Sequence, residues 1–388
     1  MPSRPIACLG LLLLMLLARP LQAAVVVVDF ANGPGTDYEF LWQAIDAAAD
    51  GDTLLIRPGF YETWVTVDGR SLTLLGDGAG VNIDGTLTVR HLAAGQRVVL
   101  RGLELGYAGS VELYDNDGVV YVEDCTILAD QEGGAGELAG LLAVDSRVVV
   151  TSCALAGSLN YAVHEAPPSP ALQAVRSEVV VTDSTLVGGD GTDPYADSVP
   201  GAAGLWLDDS TATLEGCTVL GGIGDTAVGG TGVVALNGSS LHLLQTDLAG
   251  GGGTPTGDAQ LVASGSTLSV LAGTAHALPS VSPVREGELF SVTVQGAPGD
   301  SVWLALSLAP GWTPIFGGQH VLTVGAPFQL FALGPLGPGG QLTLSSTVPS
   351  LGALESLDLF LQELSVGAGG GAKAAGPTTV VTLLDAAF

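Results

Sequence analysis

The sequence predicts an all-β chain, most of which is a parallel β-helix, a solenoid of short parallel strands. Between residues 72 and 275 one phrase recurs eight times: a small polar residue, a Val/Leu-rich strand, then Cys, Ser or Thr. A unit this short cannot bury its own apolar face, so neighbouring units must stack and share one core. Clear copies are centred, at steps of 27 to 33 residues, on Cys125, Cys153, Ser184, Cys217, Thr246 and Gly273.

The amino terminus predicts export. Residues 1–23 combine Arg4, an apolar run over residues 6–17 and small residues at the end, which is typical of a secretory signal peptide. Its removal leaves nine basic residues against 39 acidic ones. Nucleic acids and anionic membranes bind through clusters of Lys and Arg, so this charge balance argues against both as partners. No later segment is long and apolar enough to cross a bilayer. We therefore expect a secreted or cell-surface protein.

Two domains are expected after the signal peptide, since about 365 residues exceed the usual size of one domain. Residues 24–281 form the β-helix, which opens with a capping helix over residues 39–49 that protects the first strand edge. Residues 282–388 lose the repeated phrase and contain seven strand-like runs separated by Gly/Pro turns, which predicts a small β-sandwich. Eight coils at ~4.8 Å predict a rod of about 40 Å ahead of the sandwich.

Residues 36–78, a short helical stretch followed by DTLLIRPGFY, resemble the opening of right-handed parallel β-helices of the pectin-lyase-like superfamily, pectinesterases above all. The resemblance covers about 250 residues and implies a carbohydrate-related role on a right-handed β-helix. Residues 282–388 resemble, by strand spacing alone, the β-sandwich modules of secreted bacterial β-helix proteins. Such modules usually bind, anchor or cap.

The catalytic motifs of that superfamily are missing. The D-F-[IV]-F-G and L-G-R-P-W segments of pectinesterases do not occur, and of the polygalacturonase motifs only Asp208-Asp209 is present. Paired carboxylates suit glycoside hydrolysis, but Asp-Asp before a strand is more often a solvated turn. A lyase would need a free arginine, and Arg176 is the candidate, because the repeat places Arg147 beside Glu178 as a ladder pair.

Calcium is the one cofactor that the sequence suggests. Asp190, Asp193 and Asp197 lie on a Gly-rich loop, and Asp115, Asn116 and Asp117 lie on another, so both loops offer the oxygen ligands that calcium requires. Neither loop matches a known calcium motif. Solvated loops are the competing interpretation.

Trp206 is the candidate ligand-binding aromatic, because it adjoins the longest loop and Asp208-Asp209. Packing in the core is an equal alternative for it. Trp42 and Trp64 fall in the capping region and are expected to be packing residues. The inserted loops vary in length while the strands keep register, which predicts that the insertions gather on one side of the solenoid.

Cys125, Cys153 and Cys217 are expected to be buried free thiols, since Ser184 and Thr246 replace them at equivalent positions. We therefore expect a non-catalytic β-helix protein that acts as a glycan-binding, adhesive or structural surface element, with extracellular polysaccharide or cell-surface components as its partners. The alternative is a divergent polysaccharide lyase or glycoside hydrolase.

Overall fold

The computed structural model describes residues 23–62, 64–129, 139–159, 167–191, 199–224, 227–368, 370 and 373–388. The predicted signal peptide therefore lies outside the described residues, apart from its last position. Within the described part, no helix is long and apolar enough to span a membrane.

In the described residues, the first part of the chain contains one short helix, α1 (Leu41–Ala47), and 22 strands that join into one large parallel sheet curled nearly closed. The strands are β1 (Val25–Val28), β2 (Thr53–Ile56), β3 (Gly59–Glu62), β4 (Val65–Asp68), β5 (Leu72–Gly76), β6 (Val81–Arg90), β7 (Arg97–Arg101), β8 (Glu104–Glu123), β9 (Thr126–Leu128), β10 (Leu141–Thr151), β11 (Ala154–Ala156), β12 (Leu172–Val175), β13 (Glu178–Thr182), β14 (Thr185–Val187), β15 (Leu205–Asp208), β16 (Thr211–Glu215), β17 (Thr218–Leu220), β18 (Val233–Leu236), β19 (Ser240–Leu244), β20 (Asp247–Ala249), β21 (Gln260–Val262) and β22 (Thr267–Val270).

Parallel pairing arranges these strands in three stacks around a common core, which confirms the parallel β-helix. Stack A contains β1, β2, β5, β7, the ends of β8 and β10, β13, β16, β19 and β22. Stack B contains β3, the starts of β6 and β8, β9, β11, β14, β17 and β20. Stack C contains β4, the end of β6, the middle of β8, the start of β10, β12, β15, β18 and β21.

Alternate side chains of each strand point into one continuous apolar core shared by all coils. Helix α1 covers the first coil with Leu41, Ala44 and Ile45, so the predicted capping helix is confirmed, although it is shorter than expected. The eight repeated phrases correspond to the eight stack A strands from β5 onward.

The long insertions all lie between the end of a stack B strand and the start of a stack C strand, as predicted. The glycines of these insertions let backbone segments pack directly on one another, both between successive coils and between neighbouring segments. Gly188 N–H donates to Leu220 O on the next coil, while Gly222 N–H donates to Ala202 O and Gly230 N–H to Gly222 O on neighbouring segments. A Cβ on Gly222 would lie 2.0 Å from Gly189 O, so only glycine allows this approach.

The second part of the chain contains nine further strands in the ranges that the structure describes. They are β23 (Val284–Arg285), β24 (Leu289–Gln295), β25 (Ser301–Ser307), β26 (Pro310–Ile315), β27 (His320–Val324), β28 (Gln329–Pro335), β29 (Gln341–Thr347), β30 (Ser356–Val366) and β31 (Lys373–Leu384), with a 3-10 turn at Phe316–Gly318. The seven predicted runs are all strands, and β23 and β26 were not predicted. A five-stranded sheet, ordered β23-β31-β30-β25-β28, shares a core with the pair β24-β29, while β26 and β27 form a separate pair.

The five-stranded sheet lies along the side of the β-helix, on the outward face of stack A. An apolar cluster joins the two, with Tyr121 and Val149 on stack A and Phe360 and Val380 on the sheet. Tyr121 also donates its hydroxyl hydrogen to Thr323 O at 2.6 Å. The second part therefore packs beside the β-helix and not beyond its end, because the stack A strands are apolar on both faces.

Candidate functional site

Trp206 and Asp208 lie on the outward face of stack C. Strand β15 alternates buried leucines with partly exposed Trp206 and Asp208, as expected for a strand with one face in the core. Parallel register places Gln173 of β12 and Val234 of β18 on either side of Trp206. The indole therefore belongs to an outward row of side chains and is not part of the core that the coils share.

Directly after six of the stack C strands, a non-glycine residue in the left-handed region begins the turn that leads into stack A. Asp and Asn adopt this conformation more readily than most residues. The residues at this position, on successive coils, are His91, Asp115, Asp145, Arg176, Asp209 and Asn237. Asp209 thus occupies a recurring turn position, which supports the interpretation of Asp208-Asp209 as a turn.

Buried serines on successive coils hydrogen-bond to the backbone of these turns from the core side. Ser177 Oγ accepts the backbone N–H of Ser146 at 3.1 Å and donates to Val175 O at 2.9 Å. Ser210 and Ser239 repeat the pattern on the next coils. Each hydroxyl satisfies a backbone donor that would otherwise be buried without a partner. The two turns that carry Arg176 and Asp209 are therefore held by buried hydrogen bonds.

The charged candidates are paired with protein groups. Arg176 donates from Nε to Asp145 Oδ1 at 2.8 Å and from Nη2 to Asp145 Oδ2 at 2.6 Å. Asn237 Nδ2 donates to Asp208 Oδ1 at 2.5 Å. The structure therefore brings Trp206, Asp208, Asp209 and Arg176 onto adjacent coils, but gives the arginine and Asp208 partners from neighbouring turns.

Arg147 and Glu178 are neighbours in register on stack A, as predicted, with Nε and Oε1 3.4 Å apart. Trp312, from β26, donates its indole N–H to Glu178 Oε2 at 2.5 Å. This pair is therefore part of the contact between the β-helix and the second part of the chain.

The calcium candidates are only partly described. Asp193 and Asp197 lie outside the described residues, and Asp190 Oδ1 accepts the backbone N–H of Ile223 at 2.6 Å. Asn116 of the second loop is buried and uses its amide in the turn, donating to Val89 O at 3.0 Å. In the described ranges no three His, Cys, Asp or Glu side chains are grouped to hold a metal ion.

Trp42 and Trp64 are not packing residues. Their exposed fractions are 47% and 69%. The Trp42 ring stacks on that of Phe40, with centroids 6.5 Å apart, on the solvent side of α1. The prediction failed because an apolar helix stripe of alanine and leucine already closes the first coil, so no large aromatic is needed there.

Sequence reasoning missed the buried ionisable groups between stack A and the five-stranded sheet: Arg101, Glu123, Glu215 and His276. The sequence does contain a signal that the outward face of stack A is covered. Stack A strands such as RVVVT and EVVVT are apolar at successive positions, whereas a strand with one solvated face alternates. This pattern should have indicated that a second layer covers stack A.

No protein-family model matches the sequence, and no curated protein matches it. Among solved structures, the chain is similar to a pectin methylesterase from carrot at 15% identity, with a TM-score of 0.31 over 64% of this chain and 88% of that chain. A likeness this loose carries no argument about activity.

Proposed function

We propose that this protein is an exported, non-catalytic β-helix protein that binds glycans on the outward face of stack C, around Trp206. The second part of the chain covers stack A, and long glycine-rich segments border the start of the stack C strands. Stack C therefore keeps a regularly spaced outward row, in which Gln173 and Trp206 are partly exposed and Val234 beside them is buried.

The observation that carries the proposal is the setting of Trp206. A partly exposed indole offers a flat apolar surface on which the apolar face of a sugar ring can stack. Gln173 lies beside it, and Asp208 and Asn237 lie at the following turn, so amide and carboxylate groups are available for sugar hydroxyls. A ligand site commonly combines an apolar surface with a small number of polar groups.

The same setting argues against acid–base chemistry. A glycosidase needs two carboxyl groups on opposite sides of the scissile bond, one of them free to give a proton. Asp208 is hydrogen-bonded to Asn237, and Asp209 occupies a turn position directly next to it. A net charge of −28 also disfavours polyuronates, so the glycan should be neutral or carry amino groups. Calcium binding at Asp190, Asp193 and Asp197 stays a prediction.

Affinity electrophoresis through gels that contain neutral, amino or uronic acid polysaccharides tests this proposal. The protein should be retarded by a neutral or amino polysaccharide. Replacing Trp206 by Ala should weaken that binding at least about tenfold, which corresponds to ~1.4 kcal/mol. Trp64→Ala is the matched control, since it removes an exposed tryptophan from the first coil. Absence of retardation in every gel, or equal loss in both variants, would refute the proposal.

A further inference from the structure

Four ionisable side chains meet at the junction of stack A, the connecting segment and the five-stranded sheet. His276, in the connection, lies with Nδ1 3.1 Å from Glu363 Oε1 on β30 and with Nε2 3.1 Å from Asp300 Oδ2 just before β25. Its backbone N–H donates to Glu215 Oε1 on β16 at 3.0 Å. We call these four residues the His276 cluster.

The cluster is buried. The side chains of His276 and Glu363 are 1% and 0% exposed, and that of Asp300 is 6% exposed. Gly296 lies against the imidazole so closely that a Cβ there would come within 2.5 Å of Nε2. Two carboxylate oxygens, Glu215 Oε2 and Glu363 Oε2, have no hydrogen-bond partner among the described residues.

The charges of the His276 cluster do not balance when all four of its groups are ionised. Three ionised carboxylates around one imidazolium would leave two uncompensated negative charges in a dry interior, which is costly. Protons on the imidazole and on the unpartnered carboxyl groups remove this cost. The closed junction must therefore hold protons that the same groups release in water.

The pKa shifts of these groups also indicate that the closed junction holds protons. Burial raises the pKa of Glu215 to about 8 and also raises that of Glu363. Burial alone would lower the pKa of His276, but the hydrogen bond and charge of Glu363, the hydrogen bond of Asp300 and the charge of Glu215 raise it to about 9. A group whose folded-state pKa is raised stabilises the structure at low pH, and this stabilisation is lost as the pH rises through the raised value.

We propose that the His276 cluster is a proton-dependent latch, which holds the five-stranded sheet on stack A most firmly in acidic surroundings and weakens as the pH rises through neutral to alkaline values. Opening would expose the outward face of stack A, including Tyr121 and the apolar cluster around it. The proposal does not depend on glycan binding.

Fluorescence of a neutral apolar dye, added to the full chain at a fixed urea concentration below global unfolding, tests the latch between about pH 7 and 9. The dye should report more exposed apolar surface as the pH rises. The equilibrium constant for closure should fall by up to about tenfold per pH unit for each proton released. Circular dichroism at the same points checks that the strands remain.

Glu215→Gln is the decisive variant, because the amide oxygen can still accept the His276 N–H while the side chain no longer titrates. Its closure should depend less steeply on pH than that of the unaltered protein. Glu178→Gln is the matched control, as it removes a carboxylate from the same face at a position 42% exposed. The control should keep the full pH dependence. Equal slopes in all three proteins, or a steeper slope in Glu215→Gln, would overturn the latch.

Discussion

Arg176 forms a two-pronged ion pair with Asp145 on the preceding coil, with Nη2 and Oδ2 2.6 Å apart. The hydrogen bond and the charge of Asp145 raise the pKa of this arginine above its already high ordinary value. A base must first lose a proton, and Asp145 makes that loss harder. The arginine that the sequence offered as a lyase base is therefore held in its protonated form.

If the protein is non-catalytic, as we propose, Arg176→Ala should leave its behaviour towards pectate unchanged. Neither protein should generate the ultraviolet-absorbing unsaturated product from pectate with calcium present. The melting temperature should also change little, because exposed ion pairs contribute only about 0–1 kcal/mol. Product formation by the unaltered protein that disappears in Arg176→Ala would instead establish the lyase.

Gly222→Ala should destabilise the β-helix by about 1–3 kcal/mol, as overpacking does in well-packed interiors. The new Cβ would lie 2.0 Å from Gly189 O, a backbone atom that cannot move without shifting a whole coil. Urea unfolding followed by circular dichroism measures the change. Gly252→Ala is the matched control, because no atom lies within 4 Å of its Cβ position. Similar losses in both variants would contradict the two-directional packing of the glycines.

Cys153→Ser should cost about 1 kcal/mol or less, because Ser184 performs the same task one coil on. Cys153 Sγ donates to Thr151 O at 3.2 Å and accepts the Cys125 N–H at 3.4 Å. Cys153→Val is apolar and about one methyl group larger, and it leaves the Cys125 N–H without a partner, so it should cost about 1–3 kcal/mol. Urea midpoints compare the two. A valine variant more stable than the serine variant would show that packing alone fixes this position.

Among the described residues, Cys125, Cys153 and Cys217 are buried free thiols, as the sequence predicted. All three thiols should react only after unfolding because they are buried, and burial also raises the pKa of Cys153 well above its usual range.

Arg101→Met should destabilise the protein by about 3–5 kcal/mol near pH 8, because it leaves Glu123 buried without its main partner. The two side chains are 4% and 2% exposed and lie 2.8 Å apart. Burial raises the pKa of Glu123 to about 7 despite Arg101, so protonation at low pH offsets the lost charge. The penalty should therefore shrink towards about pH 5.

Arg90→Met is the control for that experiment. Its ion pair with Asp68 has both side chains nearly half exposed, at 47% and 46%, and should contribute less than about 1 kcal/mol. Thermal or urea unfolding at both pH values measures the two variants together. A penalty for Arg101→Met that grows towards acid pH would contradict the buried pair.

The repeated phrase was sufficient to predict the stacking of Cys125 with Cys153 and of Arg147 with Glu178. A period of one coil fixes register, and register fixes which side chains are neighbours. The capping helix and the seven later strands followed from apolar periodicity and Gly/Pro turns.

Contacts between distant parts of the chain could not be predicted in the same way. Nothing in the local pattern around His276 indicates that Asp300 and Glu363 will surround it, since β30 reaches it only through the antiparallel sheet. The sequence showed that the insertions are rich in glycine. It did not show that these glycines hydrogen-bond both to the next coil and to neighbouring segments. The exposure of Trp42 and Trp64 depends on how small residues of α1 close the first coil, which periodicity does not reveal.

Binding without cleavage is the central claim, and one measurement tests both halves of it. A polysaccharide that retards the protein in a gel should be incubated with the unaltered protein and with Trp206→Ala, with calcium present, and then sized by gel filtration. We expect binding that depends on Trp206 and a polysaccharide whose length does not change. Shortened chains that appear with the unaltered protein, and disappear when Asp208 is replaced by Asn, would contradict the account.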